Sequence, residues 1–514
     1  MIIDARSIPE NETIETDVCI VGAGVAGLAL AQEFSGQKFR VCLLESGGLE
    51  PDRATQSLYW GENTGHPYYP LDTARTCAFG GTSHRWLLEL GNDRLGARTR
   101  PLDAIDFEQR DWVPHSGWPF DKTHLDPYFA RAQSIFKIGP YDYNLETWED
   151  PVRRPRLGFL DGQVETSIFQ FGSRDTFIYD YRHEMEKAGN ITAYLYANAV
   201  EIETTETAQM ATRLRTACLQ GSRFWIAARI FILATGAIET PRLLLLSNQA
   251  IGAGLGNQND LVGRFFMEHP HLWSGILIPS NANVFNSTDL YKIHTVNGVT
   301  IQGKLALTEK TLRREKLLSF VTSIHPSVMP NRLQALAHAS EKGASIFGLA
   351  EHRLQRFLRK YRLPRAEVFL LNSMSEQSPN PNSRVMLADE RDVLGRNRVQ
   401  LNWQLSHLDI HTIRRAQEII DRELRRAGLG WLHIGLTDDT PPHNLHGGWH
   451  HMGTARMHTD PKQGVVDENC RVHGMTNLFI APPSVFATSG YANPVLTILA
   501  LAVRLADHIK LIIQ

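Results

Sequence analysis

The feature that most constrains this chain stands near its start. Residues 16–21 (TDVCIV) form a short β-branched run that reads as a buried strand. The run passes directly into GAGVAG, with glycines at Gly22, Gly24 and Gly27, and then into the helical pattern LALAQEFS. Gly22 permits the tight turn from strand to helix. Gly24 lets backbone approach a pyrophosphate, and Gly27 lets helix and strand pack closely. The helix N-terminus then presents unsatisfied N–H groups to the phosphates. A second strand, FRVCLLE, ends at Glu45, about 20 residues beyond the turn, where a carboxylate can accept ribose hydroxyls. A lone GxGxxG is weak evidence. In the order strand, turn, helix, strand, acid, it predicts a dinucleotide-binding unit, without separating FAD from NAD.

The rest of the chain is too long for one core. Its 514 residues call for at least two domains. With 42% hydrophobic and 21% charged residues and a net charge of −2, nothing points to nucleic acid or an anionic membrane. The opening stretch MIIDARSIPENETIETDV has no basic region followed by an apolar one, and no apolar run reaches bilayer-spanning length. The five cysteines (Cys19, Cys42, Cys77, Cys218, Cys470) are scattered without a CxxC pair, which argues against a disulfide framework or a zinc site. The expectation is a cytoplasmic enzyme with reduced thiols and no metal.

Four further segments separate the two cofactors. They are GGTSHRW (80–86), ILATGAIETPRLLL (232–245), WHHMGTARM (449–457) and the closing NLFIAPPSVFATSGYANPVLTILALAVRLADHI (477–509). Carrying these from its first strand to its last helix, the chain resembles the glucose-methanol-choline (GMC) oxidoreductases. GWPF around Trp118, EQSPNPNSRVML from Glu376 and SGYANP around Asn493 make it most similar to bacterial members related to pyranose and C-glycoside oxidases. The resemblance implies an α/β fold: a Rossmann-type FAD-binding domain assembled from separated segments (1–120, 190–275 and 441–514). An α+β substrate domain built on an antiparallel sheet (121–189 and 276–440) is inserted between them. It implies FAD contacts from Gly22, Gly24, Ala26, Gly27, Glu45, Ser46, Gly80, Gly81, Ser83, Ala234, Thr235, Gly236, Asn493 and Val495, with the backbone near Val200 meeting the adenine. Read physically, Ala234-Thr235-Gly236 lies between a strand (RIFIL) and a helix (ETPRLLLLS), where small residues admit a cofactor.

Removing hydride from an alcohol carbon requires the hydroxyl proton to leave at nearly the same time, and histidine is the usual base. There are 21 histidines, so residue type alone selects none. The resemblance does: family members place the catalytic His six residues before the Arg of G-T-x-R-M, and Gly453-Thr454-Ala455-Arg456-Met457 points to His450. In an extended chain the neighbouring His451 faces the other way. Asn493 stands where the family has His or Asn, and its amide can donate to the substrate oxygen as alkoxide character develops. Pro494 biases Asn493 away from helical geometry, and a helix-capping Asn is the simpler reading of the same residue.

The chain departs from its relatives in three places. Several attach FAD covalently through a His five residues after the first Gly of GGxSxH; here that register holds Arg85 and His84 is one residue early, which predicts non-covalent FAD. Pro482 and Pro483 stand where small residues are common, removing an N–H donor near the flavin. Ala487 replaces a common proline. The insert shows strand-like TIQGKLAL, EVFLLNSM and VQLNWQL and a helical passage over roughly 331–362 with a basic amphipathic end. Loops near Trp86 and Trp118 are expected to supply pocket residues, whose aromatic surface would suit a sugar ring, although tryptophan is also ordinary core material.

The reaction expected from this sequence is FAD-dependent oxidation of a CH–OH group on a sugar, glycoside or polyol, with electrons passing on to oxygen, a quinone or a redox protein. The alternative in the same family is cyanohydrin cleavage without net redox change. A nicotinamide dehydrogenase and a non-catalytic flavin-binding partner are the further rivals.

Overall fold

The computed structural model describes the chain apart from residues 92, 220, 282–283, 285–286, 329–366, 437 and 514. The basic helical passage expected over 331–362 lies outside the described residues. Two sheets of opposite character organise a mixed α/β fold. The first has the spatial order Ile2–Asp4, Ile191–Leu195, Val41–Leu44, Thr13–Val21, Arg223–Leu233, Ala211–Ala217 and Asn198–Thr204. Leu478–Ile480 also pairs with Arg223–Leu233. The pairings around Thr13–Val21 are all parallel, and the strands from 198 to 233 form an antiparallel meander. Helices cover such a parallel centre, so its strands read as unbroken apolar runs. Val18, Cys19, Ile20, Leu43, Phe231 and Ile232 are all buried.

The second sheet is antiparallel throughout. Its order is Gly430–His433, His271–Pro279, Glu367–Ser375, Phe320–Val328, Val299–Leu307, Val164–Ser173, Leu95–Thr99 and Leu88–Glu89. Residues 88–99, which the sequence reading put with the nucleotide-binding part, are hydrogen-bonded into this sheet instead. One face is apolar. Leu272, Leu277, Ile301, Leu305, Ile324, Phe369 and Leu371 form one core with Ile410, Ile413, Ala416, Ile420 and Leu424 of the helix His407–Arg426. That helix starts at a reciprocal cap: Asp409 N donates to Ser406 Oγ and Ser406 N to Asp409 Oδ2.

The other face follows from period two. His271 pairs with Met374, Met374 with Val321, and Val321 with Ala306. Trp273, Asn372, Ser323, His325 and Lys304 are therefore on the same side. Lys304 in turn pairs with Ser167, four residues before Phe171, which pairs with Arg98. This face is rich in polar groups, and it carries Arg98 and His271 to the catalytic end of the cleft between the sheets.

Candidate active site

Three glycine-bearing turns meet at the nucleotide end of a cleft of about 500 Å³. Parallel pairing of Val21 with Leu233 sets the GAGVAG turn beside Ala234-Thr235-Gly236, although the two are two hundred residues apart in sequence. The approach is close. Gly22 has φ +106, and a Cβ there would lie 2.6 Å from the Ala234 carbonyl oxygen. One on Gly27 would lie 1.9 Å from the Gly22 carbonyl oxygen, and one on Gly81 would lie 2.9 Å from Gly24 Cα. A Cβ on Gly24 itself would meet nothing within 4 Å, because that position opens onto the cleft.

The residues at this end suit a dinucleotide. The helix Val25–Phe34 has Gly24 as its N-cap with no side-chain cap, leaving its first-turn N–H groups for an anion. Glu45 sits at the end of the next strand, its carboxylate accepting from Ala23 N (3.0 Å) and Gly47 N (2.9 Å). Burial raises its pKa and these N–H donors oppose the shift. Of the contacts expected from sequence, Gly22, Gly24, Ala26, Glu45, Ser46, Gly81, Ser83, Val200, Ala234, Thr235, Gly236, Asn493 and Val495 all line the cleft. Gly27 and Gly80 do not. Gly27 lies behind the wall, where it lets helix and strand touch. Gly80, at φ +91, starts the short 3-10 turn Gly81–Arg85.

At the other end the cleft is walled by side chains. His450 Nε2 lies 3.1 Å from Asn493 Nδ2, and His450 Nδ1 lies 2.9 Å from His269 Nδ1. Hydrogen bonding fixes the proton positions from both ends of this chain. His269 Nε2 faces the Ser489 carbonyl oxygen at 3.3 Å, an acceptor only, so Nε2 carries the His269 proton and Nδ1 accepts. His450 therefore carries its proton on Nδ1, leaving a bare Nε2. Arg98 Nε donates to Asn493 Oδ1 (3.3 Å), which turns the Asn493 amide N–H towards that bare nitrogen. Burial holds His269 down to about 4, and lowers His450 well below its ordinary value with help from the positive charge of its neighbours. Both rings are neutral at neutral pH.

The backbone of His450 is anchored by a carboxylate. Buried Glu268 accepts from the N–H groups of His269 (2.9 Å), Gly448 (3.0 Å) and His450 (2.9 Å) and from the Tyr68 hydroxyl (2.5 Å). Burial raises Glu268 to about 7 against these donors. His451 turns the other way, its Nε2 donating to the Tyr68 hydroxyl at 2.8 Å. Asn493 is not a helix cap: Pro494 is the N-cap of Val495–Ile512, and no side-chain cap bond is made.

Sequence reasoning missed Glu268, His269 and Arg98. The stretch Glu268-His269-Pro270-His271 carried the only available signal, three ionisable groups at the start of a strand. Arg98 carried none. Trp118 is a correction. Trp86 lines the cleft, but Trp118 is buried among Phe107, Phe120 and Phe486 with its Nε1 donating to Thr488 Oγ1 at 2.8 Å. It supplies core, not substrate surface. Pro482 and Pro483 line the cleft. His84 does not: its Nε2 meets the Phe79 carbonyl oxygen at 2.9 Å, while Arg85 lies on the wall with its Nε on Thr76 Oγ1. Among the described residues no cluster of His, Cys, Asp or Glu fits a metal ion, and no helix is long and apolar enough to cross a membrane.

Comparison with known proteins bears on the fold and the family resemblance. Residues 379–502 match the family model described as GMC oxidoreductase. The chain is 24% identical to the fructose dehydrogenase large subunit of Gluconobacter japonicus, over 97% of this chain and 98% of that protein. It is 36% identical to the C-glycoside 3-oxidase of Microbacterium trichothecenolyticum over a stretch covering 25% of this chain and 24% of that one. In fold it is similar to the formate oxidase of Aspergillus oryzae, a structure solved in a study of FAD modification, with TM-score 0.55 and 16% identity over 98% of this chain and 99% of the other.

Proposed function

We propose that this chain, similar to the GMC oxidoreductases in its residues 379–502, belongs with them and oxidises a CH–OH group of a sugar, glycoside or sugar-like polyol, with His450 as base and Asn493 as its partner. The observation that carries the reading is the proton arrangement at His450: a neutral ring on the cleft wall whose bare Nε2 faces an amide donor. The family implies FAD, and the uncapped helix N-terminus, the open Gly24 and Glu45 suit its pyrophosphate and ribose. When bound, FAD supplies the two-electron acceptor for the carbinol hydride at N5.

The protein's own residues handle the proton and the oxygen. His450 Nε2 takes the hydroxyl proton as the C–H bond breaks, and the ring delivers no proton in return because its Nδ1–H is already committed to His269. Asn493 Nδ2 donates to the oxygen as charge develops there. Glu268 holds the backbone at His450, so the ring keeps its aim as its charge changes. The protonated ring is the costly state in this buried setting, and the developing alkoxide beside it offsets that cost. His84 turned onto Phe79 supports non-covalent FAD.

The test is anaerobic titration of the purified flavoprotein with a panel of sugars and polyols, followed at the flavin bands. The reading expects bleaching by one class of these compounds and its loss in His450→Ala. A flavin that no alcohol in the panel reduces overturns it. Colour released into the supernatant by acid supports non-covalent FAD, and colour retained in the pellet contradicts it.

A further inference from the structure

The polar face of the second sheet holds a buried amine that the proposed reaction does not use. Lys304 is 1% exposed, and among the described residues it forms no hydrogen bond and no ion pair. Its Nζ lies 4.8 Å from the centre of the Phe169 ring. Arg98 sits on the same face and lines the cleft; only its Nε is engaged, by Asn493, and no carboxylate faces it among the described residues. Around these two side chains stand further polar atoms without partners among the described residues: His271 Nε2, Ser323 Oγ, His325 Nε2 and Asn372 Oδ1. Period two puts all of them on one side of the sheet, and His271 joins His450 and Asn493 on the cleft wall.

A core seldom leaves so much unpaired. Burial and the nearby charge of Arg98 hold the Lys304 ammonium well below its ordinary value, so without a counter-charge the amine sheds its proton, and an anion beside it would restore the charge. By contrast, Arg110 and Glu376, both fully buried, face each other bidentately. The charge of Arg98 also reaches this place, helping to lower Lys304, His325 and His450. The missing partner is therefore an anion that arrives from outside, next to the hydroxyl-binding end of the cleft.

We propose that Lys304 and Arg98, with Ser323, His325 and Asn372 beside them, form an anion subsite, and that the alcohol oxidised here carries an acidic group: a sugar acid or a phosphorylated sugar. This rests on the reading of His450 as the base of an alcohol oxidation. The hydroxyl stands at His450 and Asn493 while the acidic group lies against the sheet, so charge pairing selects which carbon faces the flavin.

Two measurements on the holoenzyme test it. In the first, matched pairs that differ only in the anionic group (glucuronate and glucose, galacturonate and galactose, glucose 6-phosphate and glucose) reduce the flavin under anaerobic conditions. The acid member is expected to have the higher kcat/KM. In Lys304→Met, whose side chain has similar length and no charge, the acid-to-neutral ratio falls by about 10-fold or more, the worth of a charge-assisted hydrogen bond. Preference for the uronates assigns a carboxylate, and preference for the 6-phosphate assigns a phosphate. In the second, acetate and inorganic phosphate are titrated into the oxidised holoenzyme at constant ionic strength, with a saturable perturbation of the flavin bands expected in the wild type and lost in Lys304→Met. Neutral members that reduce the flavin as well as the acids, with a ratio Lys304→Met leaves unchanged, overturn the subsite and leave the reaction standing. If no member of any pair reduces the flavin, the reaction reading falls, and the anion titration alone decides whether the subsite exists.

Discussion

The two ends of the cleft are built in different ways. At the nucleotide end the wall is backbone: glycines whose missing side chains let three turns touch, and a helix N-terminus that offers its own N–H groups. At the catalytic end the wall is side chain: Arg98, His269, His450 and Asn493 come from four distant stretches and form one hydrogen-bonded chain. A backbone site needs particular residues at fixed local spacing. A side-chain site needs only that the fold bring the right groups together. The first therefore tolerates no added atom where its turns touch, while the second tolerates substitution in shape and fails in chemistry.

Placing a methyl group on Gly27 should break the nucleotide end outright. With a Cβ only 1.9 Å from the Gly22 carbonyl oxygen, Gly27→Ala must push helix from strand at a cost of about 3 kcal/mol or more. The purified variant is expected to be colourless or insoluble; a yellow protein of normal thermal stability would refute the backbone account. The catalytic end behaves differently. Asn493→Ala should keep its flavin and lose about 10²–10³-fold in the rate of flavin reduction, with KM little changed, as removal of an oxyanion donor does elsewhere. An effect confined to KM would make Asn493 a ground-state contact only.

His269→Ala sharpens the comparison further. It leaves His450 Nδ1–H without its acceptor and frees the ring to carry its proton on Nε2. A drop of about 10-fold is expected, with the acid limb of the pH–rate profile displaced, because the wild-type ring is held neutral by burial. A profile identical to wild type would assign His269 to packing alone. The smallest effect concerns stability. His269 and His451 are held down to about 4 and about 3, below the 6.5 of an unfolded histidine. The unfolded chain therefore takes up protons first as pH falls below 6.5, and the native state loses stability down to the folded values. Glu268, raised to about 7 from 4.5, works in the opposite sense, losing stability as pH rises from 4.5 to 7. Two lowered histidines outweigh one raised carboxylate, so the apoprotein Tm should drop by a few degrees between pH 6.5 and 5. A Tm that rises over this interval would contradict the neutral histidine cluster.

The same contrast decides what the sequence reveals. GAGVAG, Glu45 and Ala234-Thr235-Gly236 are legible because their chemistry is local, and the one surprise among them, the contact between turns 200 residues apart, follows from a single parallel pairing. His450 and Asn493 were found through the family's register, and the bond between them through the structure alone. His269 and Glu268 precede a strand in a loop with no periodicity to mark them. Arg98 lies in a short strand whose sheet could not be assigned from its residues, because Leu95–Thr99 reads as part of the nucleotide-binding segment and pairs with Val164–Ser173. Trp118 left both readings open for a related reason: an aromatic residue near a motif looks the same in sequence whether it faces a cleft or a core.

The central claim is that a neutral His450, bare at Nε2, accepts the hydroxyl proton. The most direct measurement is the rate of anaerobic flavin reduction by a substrate that bleaches the wild type, compared between wild type and His450→Ala across pH 5–9. The account predicts a loss of about 10²–10⁴-fold in the variant. It further predicts that the loss shrinks as pH rises and hydroxide in solution replaces the missing base. A variant that reduces at the wild-type rate, or one equally impaired at every pH, would contradict it.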